Sequence, residues 1–351
     1  MRALHKSFWP ELAVRLKVMA GLDIAESRCP QDGRISLAIA GRPIDFRVAT
    51  QPTLHGENIV LRILDREKGI VPLDALGLST SQRSTLERML ARPEGLILVT
   101  GPTGSGKTTT LYSVLSHLNT EAVNIMTLED PVEYPLAQIR QTPIGEGTRL
   151  GFADGVRALL RQDPDILLVG EIRDADTAQM ALRAALTGHQ VFATLHANSA
   201  LGAIPRLLDI GLRADLLAGN LSGIIAQRLV RRLCPACRSE VRASAEESDL
   251  LGLPADAAPP VFVPVGCAQC DFSGYRGRRA IMELLHIDAA IDEQIGAGAS
   301  LGAMRAALRS RSHSGLADDG VRRVLDGTTS LAELARVVDL AAHVAERERA
   351  A

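Results

Sequence analysis

The sequence GPTGSGKT at residues 101–108 has residue types and a spacing that suit phosphate binding. An apolar run at 96–99 precedes it and a predicted helix at 107–118 follows, which is the context this motif requires. Glycines let successive backbone N–H groups turn inward at a helix start, where they bind anions. Lys107 would reach the β- and γ-phosphates, and the Thr108 hydroxyl would ligate Mg²⁺.

A glycine-rich turn without a ligand is the alternative, but strand, spacing, Lys and Thr together favour a nucleoside triphosphate. We therefore expect ATP with Mg²⁺ as the cofactors of this loop. The predicted binding residues are Gly101, Pro102, Thr103, Gly104, Ser105, Gly106, Lys107, Thr108 and Thr109, with Lys107 also assigned to catalysis and Thr108 to magnesium.

Hydrolysis needs a carboxylate that orients water near the γ-phosphate. Glu171 follows the apolar run 166–169, and we predict it as the general base and as a water-mediated contact to Mg²⁺. A conventional strand of this kind ends in Asp, whereas Gly170-Glu171 stands here. The alternative for Glu171 is an ordinary solvated loop residue.

Three further acids follow the predicted strand 124–128 in the segment LEDPVEY. Acids so close together repel one another unless a cation is near. We predict Glu129 as a catalytic residue, and Asp130 and Glu133 as nucleotide-binding residues. The alternative is that one or two of them only hold arginine side chains.

Two histidines flank the predicted strand 191–195, and a histidine near a γ-phosphate can donate a hydrogen bond to it. We predict His196 as catalytic and His189 as nucleotide-binding. Arg47 and Arg62 lie on predicted strands that are far from the loop in sequence. Two interpretations are possible for them: they lie on a solvated face of the sheet, or they act as arginine fingers that contact a γ-phosphate.

Four cysteines form two CxxC pairs, with 29 residues between the pairs. Tetrahedral Zn²⁺ takes four thiolates, and two such pairs supply them with little backbone strain. We predict a structural zinc site rather than free thiols, with an extended loop between the pairs. The predicted ligands are Cys234, Cys237, Cys267 and Cys270.

The overall composition favours a protein without nucleic-acid contacts. The net charge is −2, and the basic run 227–232 contains no aromatic residue, so this run is interpreted as a solvated helix end or a subunit contact. No apolar run approaches the about 18 residues of a membrane-spanning helix, and the N-terminus lacks the apolar core of a signal peptide. CxxC pairs also suit a reducing compartment, so a cytoplasmic location is expected.

Alternating strand and helix patterns predict a parallel α/β sheet of the RecA-like type. Besides the elements above, the sequence predicts a strand at 96–100, helices at 152–162, 175–187 and 199–230, and a helical tail from about 281. Ligands bind at the carboxyl ends of such strands, which is where the candidate residues lie. Before this region, a helix at 5–22 and alternating strands at 35–39, 44–50 and 58–64 predict a small antiparallel α+β domain.

These motifs together resemble the ATPases of type II secretion and type IV pilus assembly. The resemblance rests on QDGRISL, IDFRVAT, LVTGPTGSGKTTTLY, NIMTLEDPVEY, LLVGEIRD, TGHQVFATLHANSA, QRLVRRLCPAC and GYRGRRAIMELL, and it covers residues 22–340. It identifies Arg47 and Arg62 with arginines that the family supplies from its N-terminal domain to nucleotide. Arg157, Arg161 and Arg173 fall at further arginine positions, with their roles open.

The resemblance implies an α/β fold with a RecA-like P-loop motor domain, a small N-terminal α+β domain, a tetracysteine zinc module and a C-terminal helical bundle. The expected boundaries are 1–70, a linker at 71–81, 82–232 for the ATPase core, 233–280 for the zinc module and 281–351 for the helical region. Compared with the family, the N-terminal docking domain is expected to be missing, which puts the mode of membrane recruitment in question.

The function implied is a homohexameric ATPase that drives assembly of a pseudopilus or pilus. It would lie in the cytoplasm, peripheral to the inner membrane and against platform and docking proteins, without a transmembrane segment of its own. The alternatives are a nucleic-acid translocase of the same fold, which the near-neutral charge opposes, and a ring partner that binds nucleotide without hydrolysing it.

Overall fold

The computed structural model describes residues 5–65, 71–145, 150–309, 311 and 313–348. Two compact units make up the chain, Met1–Val71 and Pro72–Ala351, and each is described by itself. None of the helices in the described ranges is both long and apolar enough to cross a membrane.

Residues 5–65 of the first unit contain a three-stranded antiparallel sheet and an α-helix. The helix α1 (Trp9–Ala20) has Pro10 in its first turn, where a missing N–H costs nothing, and ends at Gly21 in the left-handed conformation with φ 70°. The strands β1 (Gln31–Ile39), β2 (Arg42–Thr53) and β3 (Gly56–Asp65) form the sheet in that order. Its small core is formed by Ala20, Ile35 and Val48.

The second unit contains a seven-stranded sheet and most of the helices. The strands of the second unit are β4 (Gly95–Thr100), β5 (Ile125–Glu129), β6 (Arg140–Pro143), β7 (Ile166–Val169), β8 (Gln190–Leu195), β9 (Leu221–Leu233), β10 (Ser239–Arg242), β11 (Pro260–Val263) and β12 (Tyr275–His286). The helices are α2 (Thr80–Leu90), α3 (Lys107–Leu118), α4 (Phe152–Leu159), α5 (Ala175–Leu186), α6 (Ala200–Ile210), α7 (Ala214–Leu217), α8 (Ala245–Leu250), α9 (Ala289–Gly296), α10 (Leu301–Arg309), α11 (Leu316–Leu325), α12 (Leu331–Ala335) and α13 (Leu340–Glu348).

The seven-stranded sheet has the order β12-β9-β4-β8-β7-β5-β6. Its pairs are parallel except β9 with β12, which is antiparallel. The central strands β4, β7 and β8 are buried along their whole length, because helices cover both faces of such a sheet. Strands β4, β8, β7 and β5 therefore present their carboxyl ends side by side along one edge.

Two predictions about the second half of the sheet were wrong. The segment predicted as the end of a helix at 199–230 is the strand β9, which pairs with β4 on one side and β12 on the other. The predicted helical tail from 281 begins inside β12. The expected boundaries at 232 and 280 thus fall within sheet strands. An apolar run that is buried on both faces has no alternation, so its period does not distinguish strand from helix.

The C-terminal helices divide between two cores. Helices α9 and α10 contribute Ile291, Ile295, Met304 and Leu308 to the core under the parallel sheet. The helices that follow join a second core, which also contains residues of β9, β12 and the segment between the CxxC pairs: Val230, Ala243, Leu251, Val261, Ile281, Val321, Val324, Leu334 and Leu340. The loop predicted between the CxxC pairs is therefore folded, with α8 and the antiparallel pair β10–β11.

Glu333 in α12 anchors this second core through charged contacts. Its side chain is buried and lies 2.7 Å from both Arg231 Nη2 and Arg336 Nη2. Burial opposes its charge, but the hydrogen bonds from Arg336 and Arg231 prevail and lower the pKa of Glu333 to about 2.

We predict that Glu333→Gln destabilises the chain by about 2 kcal/mol at pH 7, because both guanidinium groups lose a charged acceptor. A depressed carboxyl pKa gives stability that is present above the unfolded pKa of about 4.3 and is lost as the pH falls toward 2. Thermal unfolding at pH 3 to 7 should therefore show a smaller acid dependence for Glu333→Gln than for the parent chain. Equal acid dependence of the two proteins would contradict this assignment.

Candidate functional site

The loop after β4 has the geometry of an anion nest. Its glycines Gly101, Gly104 and Gly106 have φ values of 148°, 77° and 90°, which L side chains rarely adopt. The loop leads directly into α3 at Lys107. A glycine-rich loop at the start of a helix directs several backbone N–H groups toward a common position, where they bind an anion. The residues of this loop therefore fit a phosphate group.

Lys107 lies across this loop. Its ammonium group donates hydrogen bonds to the carbonyl oxygens of Gly101 at 2.9 Å and Pro102 at 3.2 Å. Burial lowers the pKa of Lys107, the nearby charge of Glu171 acts in the opposite direction, and that of Arg228 lowers it further. Strand β8 pairs in parallel with both β4 and β7, so the loop after β4 and Glu171 after β7 lie at the same edge of the sheet.

Glu171 is the centre of a cluster of side chains at the edge of the sheet. One carboxylate oxygen lies 2.9 Å from Nε2 of His196, and the other lies 2.6 Å from Nη2 of Arg173. Arg173 also lies 3.6 Å from a carboxylate oxygen of Asp130. The structure thus brings Glu171, His196 and Asp130 together, with Arg173 joining Glu171 to Asp130, and the roles assigned to them from sequence stay predictions.

Backbone contacts between neighbouring strands fix the position of Glu171. The N–H of Gly170 donates to Leu128 O at 2.7 Å, and that of Ile172 donates to Thr194 O at 2.9 Å. A Cβ at position 170 would lie 2.8 Å from Leu128 O. Glycine is therefore required here, which is a physical reason for the unconventional Gly-Glu at the end of this strand.

Glu129 differs from Glu171 in being buried within a hydrogen-bonded network. Its carboxylate accepts from the Tyr112 hydroxyl, from Thr127 Oγ1 at 2.7 Å and from Gln141 Nε2 at 3.0 Å. Burial and the contact with Glu129 raise the pKa of Tyr112, so its hydroxyl keeps its proton. Because Tyr112 lies on α3, Glu129 ties the helix of the phosphate loop to β5.

Glu133 lies in the same neighbourhood as Glu129. Its backbone N–H donates to the Tyr112 hydroxyl at 3.3 Å. The segment LEDPVEY therefore contributes to the site in two ways, with Asp130 at the exposed edge and Glu129 and Glu133 around Tyr112. The nucleotide-binding role of Glu133 stays a prediction.

His189 lies at the opposite edge of the sheet from the loop, which argues against the prediction that it binds the nucleotide. Its carbonyl accepts the N–H of Gly95, the first residue of β4, whereas the loop follows the last residue of that strand. Its Nδ1 lies 2.9 Å from Ala184 O and 3.1 Å from Thr187 Oγ1 at the end of α5. His189 and His196 flank β8 in sequence, but the length of a strand separates them in space.

Three arginines of the first unit, Arg34, Arg47 and Arg62, form a row across its sheet. The sequence patterns indicated Arg47 and Arg62 but not Arg34. Arg47 lies directly opposite Arg34 on β1 and directly opposite Arg62 on β3. Directly opposed residues lie on one face of the sheet, where like charges disfavour the pairing of the strands. Arg34 was missed because the pattern of one strand does not reveal its register with the next.

The four cysteines of the CxxC pairs converge on one point. Their Sγ atoms lie within 4.8 Å of one another, and three of the separations are 3.8 to 3.9 Å. Tetrahedral Zn²⁺ with Zn–S bonds of about 2.3 Å requires S···S separations of about 3.8 Å. The residues present fit zinc.

Backbone N–H groups surround the thiols of this cluster. Those of Gly266, Cys267 and Gly274 lie 3.2 to 3.3 Å from the sulfur atoms of Cys237 or Cys270. Burial opposes the thiolate of Cys270, but the N–H groups of Cys267 and Gly274 prevail and lower its pKa to about 6. Burial raises the pKa of the neighbouring Cys237 to about 11, so the thiolate that the backbone stabilises is that of Cys270.

The parallel sheet, the glycine loop and the acids at the neighbouring strand ends together define a P-loop protein with a RecA-like α/β fold. The profile of the family described as "Type II/IV secretion system protein" matches residues 3–336. The chain belongs to this family, as the sequence motifs predicted.

Relatives of known sequence and structure agree with this assignment. Type II secretion system protein E of Dickeya dadantii (strain 3937) is 50% identical over 333 residues, covering 93% of this chain and 65% of that protein. The protein of the same name from Aeromonas hydrophila is 47% identical over 333 residues, covering 95% of this chain and 66% of that protein. The crystal structure of the pilus retraction motor PilT with bound ADP matches at 30% identity with a TM-score of 0.64, covering 89% of this chain and 78% of that one. The chain spans about two thirds of the length of the curated relatives it matches.

Proposed function

We propose that this protein is an Mg²⁺-dependent ATPase that powers a type II secretion or type IV pilus assembly machine. The observation that supports it most is the cluster of Glu171, His196 and Arg173 at the same sheet edge as the glycine loop. Family membership and the relatives named type II secretion system protein E agree with this function.

In this proposal the loop binds the phosphates and the strand ends supply the chemistry. Lys107 turns from the loop carbonyls to the β- and γ-phosphates, where its charge favours the transition state. Mg²⁺, held with the help of Thr108, offsets the charge of the phosphates when bound. Glu171 orients the attacking water and accepts its proton.

A nearby positive charge opposes protonation of a carboxylate, so Glu171 is a stronger base when its contact with Arg173 is released. Arg173 and His196 are both exposed, and the guanidinium group of Arg173 is always positively charged, so a γ-phosphate attracts it. We therefore assign Arg173 to move from Glu171 toward the γ-phosphate on nucleotide binding, while His196 continues to orient the carboxylate. Asp130, the second acid near Arg173, steadies the guanidinium in the absence of phosphate.

The wider assembly is also part of the proposal. The arginine row of the first unit, with Arg47 and Arg62, would supply guanidinium groups to a nucleotide held by another copy of the chain in a homohexamer. The ring would lie at the cytoplasmic side of the inner membrane against platform and docking proteins, and the four-cysteine cluster would hold a structural zinc ion. The structural support for this part of the proposal is that Arg34, Arg47 and Arg62 lie side by side on one face of the sheet.

The proposal is tested by nucleotide binding and phosphate release. Lys107→Ala should weaken ATP binding by about tenfold or more, because the loop loses its one cation for the phosphates. Lys6→Ala, which removes an exposed lysine far from the loop in sequence, is the matched control. The measurements are calorimetric titration with ATP in Mg²⁺ and phosphate release by the purified oligomer. Phosphate release that is equal in the parent, Lys107→Ala and Lys6→Ala proteins would remove the assignment.

A further inference from the structure

The basic run 227–232 was interpreted from sequence as a solvated helix end or a subunit contact, and its first residue has a different environment. Gln227 lies on β9, fully buried, one position beyond the pair that joins Thr100 of β4 to Ala226. It therefore lies beside the point where β4 ends and the glycine loop begins. The solvated interpretation of this residue was wrong.

Gln227 contacts the glycine loop at three positions. Its Nε2 donates a hydrogen bond to Ser105 O at 2.7 Å. A Cβ at Gly101 would lie 2.5 Å from Gln227 O, and a Cβ at Gly106 would lie 3.2 Å from Gln227 Nε2. Gln227 therefore packs closely against both the first glycine of the loop and its last two residues before the helix.

The orientation of the Gln227 amide is unambiguous. The opposite orientation would place Oε1 against the Ser105 carbonyl, and two acceptors repel each other. Among the described residues, Oε1 has no hydrogen-bond donor of its own. The donation to Ser105 is therefore the one polar contact that holds the amide in this buried position.

This hydrogen bond has a consequence for phosphate binding. The C=O of Ser105 and the N–H of Gly106 belong to one planar trans peptide, so they point in opposite directions. While the C=O is held toward Gln227, the N–H of Gly106 is directed to the other side of the loop, away from β9. Backbone N–H groups directed this way are what a glycine loop offers to an anion.

We propose that Gln227 is a positioning residue that sets the Ser105–Gly106 peptide for phosphate binding. The inference rests on the proposed nucleotide site and names a residue that acts on it through the loop. Arg228, the next residue, donates to Asn198 O at 3.0 Å, so this end of β9 also contacts the loop after β8 that carries His196. Strand β9 therefore supports both loops of the site.

The test is Gln227→Glu, which keeps the size of the side chain and replaces the donor by a carboxylate. At pH 8 the carboxylate repels the Ser105 carbonyl, and we expect ADP affinity to fall by about 10- to 100-fold. Burial raises the pKa of a carboxyl group. On acidification the new carboxyl group therefore gains a proton that it can donate to Ser105. The affinity of Gln227→Glu relative to the parent should thus recover as the pH is lowered from 8 to 6.

Gln190→Glu is the matched control. Gln190 is also buried, and its Nε2 donates to Leu90 O at 3.1 Å and Arg92 O at 2.8 Å, but it lies at the amino-terminal edge of the sheet. This change should lower the Tm without altering the ADP affinity. The methionine of Gln227→Met has no hydrogen-bond donor and no charge, so this variant should bind ADP weakly at every pH. It serves as a second test of the proposal if Gln227→Glu does not fold.

The measurements are calorimetric ADP titrations of the full chain at pH 6, 7 and 8, with the Tm of each nucleotide-free protein. ADP affinities of Gln227→Glu and Gln227→Met within twofold of the parent would overturn the positioning role and leave the nucleotide site in place. An equal loss of affinity in Gln190→Glu would also overturn it, because the effect would then be one of general stability. A parent chain that does not bind ADP would remove the proposed function and this inference together.

Discussion

Replacing Glu171 by glutamine should lower the rate of phosphate release by about 10²- to 10⁴-fold, the usual contribution of a general base. The amide retains the size of the carboxylate and one acceptor for Arg173 or His196, but it cannot take a proton from water. ATP binding should be kept within a few-fold, because the glycine loop and Lys107 are unchanged. The expected result is a protein that binds ATP and hydrolyses it very slowly.

The experiment separates the chemical step from binding. Single-turnover phosphate release measures hydrolysis, and calorimetric titration with ATP measures affinity for the parent, Glu171→Gln and Glu246→Gln. Glu246 is an exposed residue of α8, far along the chain from the site, and serves as the control. A rate for Glu171→Gln within threefold of the parent would exclude Glu171 as the base and direct attention to Asp130 at the same edge.

Replacing Cys270 by serine should remove the metal and destabilise the second core. Cys270 is buried, and its sulfur lies 3.8 Å from those of Cys237 and Cys267. Structural zinc sites contribute about 10 kcal/mol or more of apparent binding free energy to the folded state. Because Val261 and Leu251, between the CxxC pairs, share a core with Val230 of β9, loss of the metal should loosen the antiparallel edge of the central sheet.

Cys29→Ser is the matched control, since Cys29 is exposed and lies outside the cluster. Metal analysis of protein purified without a metal-binding tag should give about one zinc per chain for the parent and for Cys29→Ser, and close to none for Cys270→Ser. Thermal unfolding should show a large loss of stability for Cys270→Ser and for the parent treated with a chelator. A folded parent chain that contains no zinc would contradict the assignment.

Local patterns were sufficient for the parts of this protein whose chemistry is continuous in sequence. The glycine loop was recognised from GPTGSGKT because the glycines that form the anion nest, the lysine and the threonine at the helix start follow one another directly along the chain. Glu171 and His196 were predicted to lie at one site because each follows a short apolar strand, and parallel strands end at a common edge; their catalytic roles stay predictions. The CxxC pairs were recognised because two thiols three residues apart already form half of a metal site.

The same local patterns failed where a strand is buried on both faces or where the partner is distant. The strand β9 was assigned to a helix because its apolar run has no period of two, and Gln227 was assigned to a solvated helix end or a subunit contact for the same reason. His189 was grouped with His196 because sequence proximity does not show that β8 separates the two ends. Arg34 was missed because the register between β1 and β2 is set by pairing across the turn.

The sequence by itself determined the class of this protein, its family and the candidate residues for phosphate and metal binding, since these depend on short spacings along one segment. Only the tertiary structure decided which side chains contact one another: Glu171 with Arg173 and His196, and Gln227 with Ser105. The reason is that hydrogen bonds act over about 3 Å, and the order of strands in a sheet, which brings distant residues to that separation, is not encoded in any single segment.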